Sequence, residues 1–134
     1  MIKGKGARCI YLAFEFEKDA QRRTTFIQQS LLYCDYVLED LSLPSALHDS
    51  RWQRESLERI RQVEVLIVLL GQDTHSSHGV YDEVSLAGQV QCPTVQLMPQ
   101  HRRYGTISNR LPVLRYKWRK LNEMLQDPKS FVAH

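Results

Sequence analysis

Glycine is scarce in this chain, six in 134 residues, and none of it builds a phosphate cradle. Neither GxxxxGKS/T nor GxGxxG follows a strand-like run, and the "GKG" at residues 4–6 precedes the first such run. A P-loop nucleotidase and a Rossmann dinucleotide site are thereby excluded. Cysteine is scarcer. Cys9, Cys34 and Cys92 are scattered, odd in number and set in or beside apolar runs. With no CxxC pair there is no zinc or dithiol redox motif, and the pattern is that of reduced, buried thiols in a cytosolic protein. No apolar run approaches a membrane span, and "MIKGKGAR" leads into one too short for the h-region of a signal peptide. A cytoplasmic location without a membrane partner is the expectation. A strong charge of one sign is also lacking. The formal net charge of +3 is too weak to argue for a nucleic-acid partner. Basic residues thicken after residue 100, in "HRRYG" and "NRLPVLRYKWRK", without forming a like-charged tail.

What is there is an alternation of strand and helix signals with no repeat, low-complexity stretch or linker. The length suits one domain, residues 1–134, with a single sizeable core. "RCIYLAF" at 8–14 is a near-continuous apolar run, as expected of a strand covered on both faces. "KDAQRRTTFIQQSLL" at 18–32 reads as a helix with Ala20, Thr24, Ile27 and Leu31 on one stripe. "DYVLE" at 35–39 is a weaker strand, and Pro44 argues against a central strand in the turn-rich "LSLPSALHDS" that comes next. "SRWQRESLERIRQV" at 50–63 is amphipathic at helical period, with Trp52, Ser56, Ile60 and Val63 on one side. "VEVLIVLLG" at 63–71 is the strongest strand. "VYDEVSLAGQV" at 80–90 has the period of a helix of about three turns, "PTVQLMP" at 93–99 is the last clear strand, and "YKWRKLNEMLQ" at 116–126 closes as an amphipathic helix.

This order predicts a flavodoxin-like three-layer α/β/α sandwich around a parallel sheet of about five strands. Ligands of such sheets bind beyond the carboxyl ends of the strands, at the switch point between the first and third. Three loops should meet there: "EFEKD", "EDLSLPS" and "GQDTHSSHG". A phosphoreceiver of this topology needs an aspartate ending its third strand and a lysine after its fifth. The third strand here ends "VLLG" and the last is followed by "PQHRR", so that reading fails at both places.

Asp82 and Glu83 are the informative pair. At about 100° per residue, Val80, Val84 and Ala87 define the apolar face of their helix, and Glu83 falls inside that sector. Asp82 lies about 100° away from Glu83, at its edge. With Gly79 as the N-cap, Asp82 would be a first-turn acid favoured by free amides and the positive helix end. Glu83 would point at the core, where an ionised carboxylate costs several kcal/mol unless well bonded. It is either a structural bond to a neighbouring loop or a functional group. The other candidates have ordinary readings beside the functional ones. His75 and His78 are three apart in a loop with no third ligand in sight, so no metal site is expected. Trp52 sits on a core stripe, and Phe14 and Phe16 either pack or stack on a planar ring. Arg22 and Arg23 face solvent or meet phosphate, and Asp40 with Ser42 suits an Asx- or ST-type turn.

Taken together these motifs are familiar. "YLAFEFEKDAQRR", "DLSLPSALHDSRWQRESLERIRQVEVLIVLLGQDTHSSHGVYDEVSLAGQ", "PTVQLMP" and "YKWRKLNEML" resemble the TIR-like family typified by Thoeris antiphage proteins. The shared pattern is Phe14 ending a strand, Asp40-x-Ser42, Trp52, Gly71, Thr74-x-x-Ser77, and Val80-x-x-Glu83. It covers about residues 8–126. The position before Val80, commonly Trp in the family, is Gly79 here, so an aromatic wall is missing or supplied by Tyr81. The resemblance implies NAD⁺ as a substrate rather than a bound cofactor. The nicotinamide–ribose bond is cleaved, and ADP-ribose is released or cyclised as a signal in antiphage defence. Glu83 would be catalytic, under the ribose. Phe14, Asp40, Ser42, Trp52 and Tyr81 would bind substrate, with no metal. Self-association and a downstream effector that binds the nucleotide signal are the implied partners. The rivals are a nucleoside 2-deoxyribosyltransferase-like enzyme, with Glu83 as nucleophile, and a catalytically silent TIR-type interaction module.

Overall fold

The structure, a computed structural model, describes residues 4–43 and 50–131. Five parallel strands form one sheet: β1 (Ala7–Ala13), β2 (Val37–Asp40), β3 (Val65–Leu69), β4 (Thr94–Met98) and β5 (Val113–Arg115), in the order β2-β1-β3-β4-β5. Four helices alternate with them: α1 (Phe16–Tyr33), α2 (Ser50–Ile60), α3 (His78–Gln89) and α4 (Trp118–Gln126). This is the flavodoxin-like three-layer α/β/α fold expected from the alternation. The turn expected around Pro44 lies outside the described residues. No helix among the described residues is long and apolar enough to cross a membrane.

Period-2 alternation along β1 divides the core in two. Ile10, Leu12 and Phe14 pack with Phe26 of α1 and Leu121, Met124 and Leu125 of α4. Tyr11 and Ala13 pack on the opposite face with Ile60 of α2 and Val80 and Ala87 of α3. Strand β3 is buried along all five residues, pairing β1 on one side (Tyr11 opposite Leu66) and β4 on the other (Leu69 opposite Leu97). A strand enclosed on both faces and both edges must be apolar throughout, which is why 65–69 is an unbroken run.

Two elements differ from expectation. Helix α1 buries Asp19, Phe26 and Ser30, whereas Ala20 and Thr24 are exposed and Leu31 is 67% exposed. The Phe26–Tyr116–Trp118 aromatic cluster fixes that rotation, with the Phe26 ring 5.2 Å from Trp118 and 6.1 Å from Tyr116. The fifth strand is only three residues, after Pro112. Its approach is built by Gln96, fully buried on β4, whose amide accepts from Ile107 N (2.6 Å) and donates to the Ser108 (2.8 Å) and Leu111 (3.2 Å) carbonyls. Side-chain bonds thus replace a regular connection between β4 and β5. None of the three cysteines is in a disulfide; Cys34 is buried and Cys9 and Cys92 are half-buried.

Candidate functional site

The β3–α3 loop is tied by the Thr74-x-x-Ser77 motif. Thr74 is fully buried, and its Oγ1 accepts from Gly71 N at 2.7 Å. Ser77 is the N-cap of α3, its hydroxyl accepting from Val80 N at 3.4 Å. The helix therefore starts at His78, earlier than a Gly79 cap would allow. Asp82 becomes the fifth helical residue and lies past the turn where free amides are satisfied by acids. Its capping role is not realised. Glu83 keeps the inward direction expected of it, at 8% exposure.

What Glu83 meets is Tyr11 from the middle of β1. The Tyr11 hydroxyl donates to Ser56 Oγ on α2 at 3.4 Å and lies beside the Glu83 carboxyl. Burial pushes the Glu83 pKa up to about 8; the Tyr11 hydrogen bond opposes that shift, and the neighbouring charge of Asp82 adds to it. Burial, together with the Glu83 charge, raises the Tyr11 phenol far above its usual range. Among the described residues no cation offsets the burial of this carboxyl, so the dry environment dominates its protonation. A protonated Glu83 can donate to Tyr11; an ionised one accepts from it. The group is poised to change state near neutral pH.

The remaining candidates are distributed around the carboxyl edge of the sheet. Asp40 ends β2. One of its carboxylate oxygens receives Arg23 Nε (2.9 Å) and Nη2 (2.7 Å), and the other receives the backbone N–H of Ser42 (2.9 Å) and its hydroxyl. This is the Asx-type turn, with Arg23 as its counter-ion. Phe14 is buried on the α1/α4 side of the sheet, stacked at 5.9 Å on Phe16, which is 37% exposed. Phe14 and Glu83 thus approach from opposite faces. Trp52 is buried on α2 with Ser56 and Ile60, and Tyr81 is 41% exposed on α3. His75 and His78 are exposed, and among the described residues no three His, Cys, Asp or Glu groups are placed to hold a metal ion.

Three polar residues escaped sequence reasoning. Tyr11 and Ser56 were hidden inside apolar patterns. A phenol midway along a buried strand and a serine on a core stripe were the available signals. Asp19 had none, because the stripe assigned to α1 put it in solvent. It is 6% exposed, with Oδ1 3.5 Å from Arg22 Nε and Oδ2 without a hydrogen-bond partner among the described residues. A Cβ on Gly71 would collide with both oxygens of that carboxylate. At Gly71, just past β3, a carboxylate occupies the space that a side chain would take, so any larger residue must displace it. Burial raises the Asp19 pKa, with Arg22 pulling it back.

Two of the cavities formed by described residues lie apart from Glu83, Phe14 and Ser42. One, of about 330 Å³, lies between α1 and the ends of β3 and β4; the other, of about 640 Å³, lies at the amino end of β4 beside Gln91 and Lys129. No protein-family model matches the sequence, and no curated protein matches it.

Proposed function

We propose that the protein is a TIR-like NAD⁺ hydrolase or cyclase in which Glu83 is the catalytic carboxylate. The observation that carries this reading is a nearly enclosed glutamate on α3, one turn and a half past the β3 loop, with a neutral phenol as its partner and a pKa of about 8. A carboxylate with no salt-bridge partner among the described residues is available to a positive substrate. The pyridinium of NAD⁺ supplies that charge and favours the ionised form.

The chemistry needs little more. The C1′–N bond breaks with its electron pair going to the nitrogen, so nicotinamide leaves neutral without a general acid. The ribosyl group becomes oxocarbenium-like, as in glycoside hydrolysis. A fixed anion facing C1′ stabilises that charge and holds the ribose hydroxyls. Water then adds at C1′ and loses a proton to give ADP-ribose, or a nucleophile within the same molecule adds to give a cyclic product. Phe14 borders the nicotinamide side, Asp40 and Ser42 shape the rim, and Tyr81 replaces the aromatic absent at Gly79. Trp52 supports the α2 wall. Self-association and a downstream effector that reads the nucleotide belong to the same proposal.

One observation favours a second reading. Glu83 in its protonated form is satisfied by Tyr11 within the core, which is how a silent TIR-type interaction module would hold it. Mass spectrometry of NAD⁺ and, separately, of a deoxynucleoside after incubation with the protein distinguishes the readings. Nicotinamide with ADP-ribose or its cyclic form, lost in Glu83→Gln, supports the proposal. Free base from the deoxynucleoside indicates the deoxyribosyltransferase-like enzyme, and nicotinamide release unchanged in Glu83→Gln removes the role of this residue.

A further inference from the structure

The cavity of about 330 Å³ is on the α1/α4 side of the sheet, away from the Glu83–Tyr11 pair. Its size is at the lower end of ligand pockets, about 300–1,000 Å³. Its floor is Leu69 and Leu97, directly paired at the carboxyl ends of β3 and β4. Tyr116 forms a wall, and α1 overhangs with Gln21, Thr25 and Gln29, spaced four apart and so on one helical stripe.

That stripe is unusual for a helix beside a sheet. Positions over the strand ends ordinarily carry apolar groups, yet here they read amide, hydroxyl, amide. Gln21, Thr25 and Gln100 side chains make no hydrogen bond among the described residues. Gln29 is oriented: its Oε1 accepts from the Tyr116 hydroxyl at 2.6 Å, which leaves both Nε2 protons to donate elsewhere. Arg22, the one charged residue in the lining, is already engaged by other groups. Arg22 donates to the Leu70 carbonyl at 2.5 Å, lies 3.5 Å from Asp19, and places its guanidinium 5.3 Å from the Tyr104 ring. The lining offers donors, acceptors, an apolar floor and an aromatic wall, with no uncommitted ion.

We propose that this cleft is a second ligand site, for a neutral planar heterocycle whose edge carries amide-type donors and acceptors. A carboxamide-bearing pyridine and a purine nucleoside share this chemistry. The flat face lies on Leu69 and Leu97, and the edge bonds Gln29 Nε2 and the Thr25 hydroxyl. A carboxylate in place of the amide leaves Gln29 a donor but adds a charge for which the lining holds only Arg22, already engaged by Leu70 and Asp19. The inference is independent of the reaction at Glu83.

Amide chemical-shift mapping of the full chain titrated with nicotinamide, adenosine and benzoate tests it. Saturable shifts are expected at Thr25, Leu97 and Tyr116 with nicotinamide or adenosine, and the tighter of the two identifies the source. Benzoate should bind more weakly than nicotinamide. Gln29→Leu should weaken binding about fivefold, the loss of one neutral hydrogen bond. Thr25→Trp, which fills the cleft from a half-buried position, should abolish it, and Glu83→Gln should leave it unchanged; spectra of each variant report folding directly. Shifts centred on α3 and Tyr11, equal affinity for benzoate and nicotinamide, or no saturable shift with either heterocycle would overturn the proposal.

Discussion

Asp19 and Glu83 are two carboxylates buried to nearly the same degree, 6% and 8% exposed, in settings that differ in one respect. Asp19 lies under the end of β3 beside a guanidinium, wedged where Gly71 lacks a side chain. Glu83, on α3, has a phenol beside it and, among the described residues, no cation. Burial is the largest cause that raises both pKa values, and neighbouring carboxylates add to it. The partner separates their roles: Arg22 offsets part of the penalty and makes Asp19 a wedge between α1 and β3, whereas Tyr11 leaves Glu83 free to take or lose a proton. A buried acid with a fixed counter-ion is a structural element; one with only a neutral partner is available for chemistry.

The largest effect expected from breaking this contrast is on turnover. Glu83→Gln keeps the shape and much of the hydrogen bonding but removes the charge facing the developing cation. Nicotinamide release should fall on the order of 10²-fold or more, measured by chromatography on protein shown folded by circular dichroism.

Next in size is the wedge. Gly71→Ala places a methyl against the Asp19 carboxylate and should cost about 1–3 kcal/mol in urea unfolding. Asp19→Ala in the same chain makes room for it, so the double variant should recover part of that loss instead of adding to it. Additive losses would mean that Asp19 and Gly71 do not contend for one space.

The pH dependence of stability separates the two acids further. Glu83 binds its proton more tightly folded, at about 8, than unfolded, at about 4.3. Its contribution is fully present below the unfolded pKa and is lost as pH rises through the folded one. Glu83→Gln should therefore gain stability relative to the parent between those limits, reaching a few kcal/mol above pH about 8. Paired thermal melts across that range check the sign. A constant difference would contradict the raised pKa.

The smallest effect belongs to Asp82→Asn, which removes the same formal charge one residue away. Because Ser77 caps α3 and Asp82 lies past the first turn, its loss should cost under about 0.5 kcal/mol. Turnover should stay within a few-fold of the parent.

The contrast also marks the limit of what the sequence disclosed. The inward direction of Glu83 came from helical period alone, because Val80 and Ala87 define a buried face with no competing pattern. The central place of β3 came from its apolar run. Asp19 was invisible for the opposite reason. Its face of α1 is selected by Phe26 docking on Tyr116 and Trp118, far along the chain, and a polar residue on that face disguised it. Strand β5 was too short for a period and depends on the Gln96 amide, a tertiary cause. Asp40 and Ser42 were foreseen as a turn, but their tie to Arg23 was not, since nothing local links a helix position to the end of β2.

The most direct measurement of the central claim is kcat/KM for nicotinamide release as a function of pH. This ratio reports ionisation in the free enzyme. If ionised Glu83 performs the chemistry, it should rise about tenfold per pH unit on the acidic side and level off near pH 8, and the rise should vanish in Glu83→Gln. A profile flat from acid to alkaline pH, or release surviving undiminished in Glu83→Gln, would contradict the account.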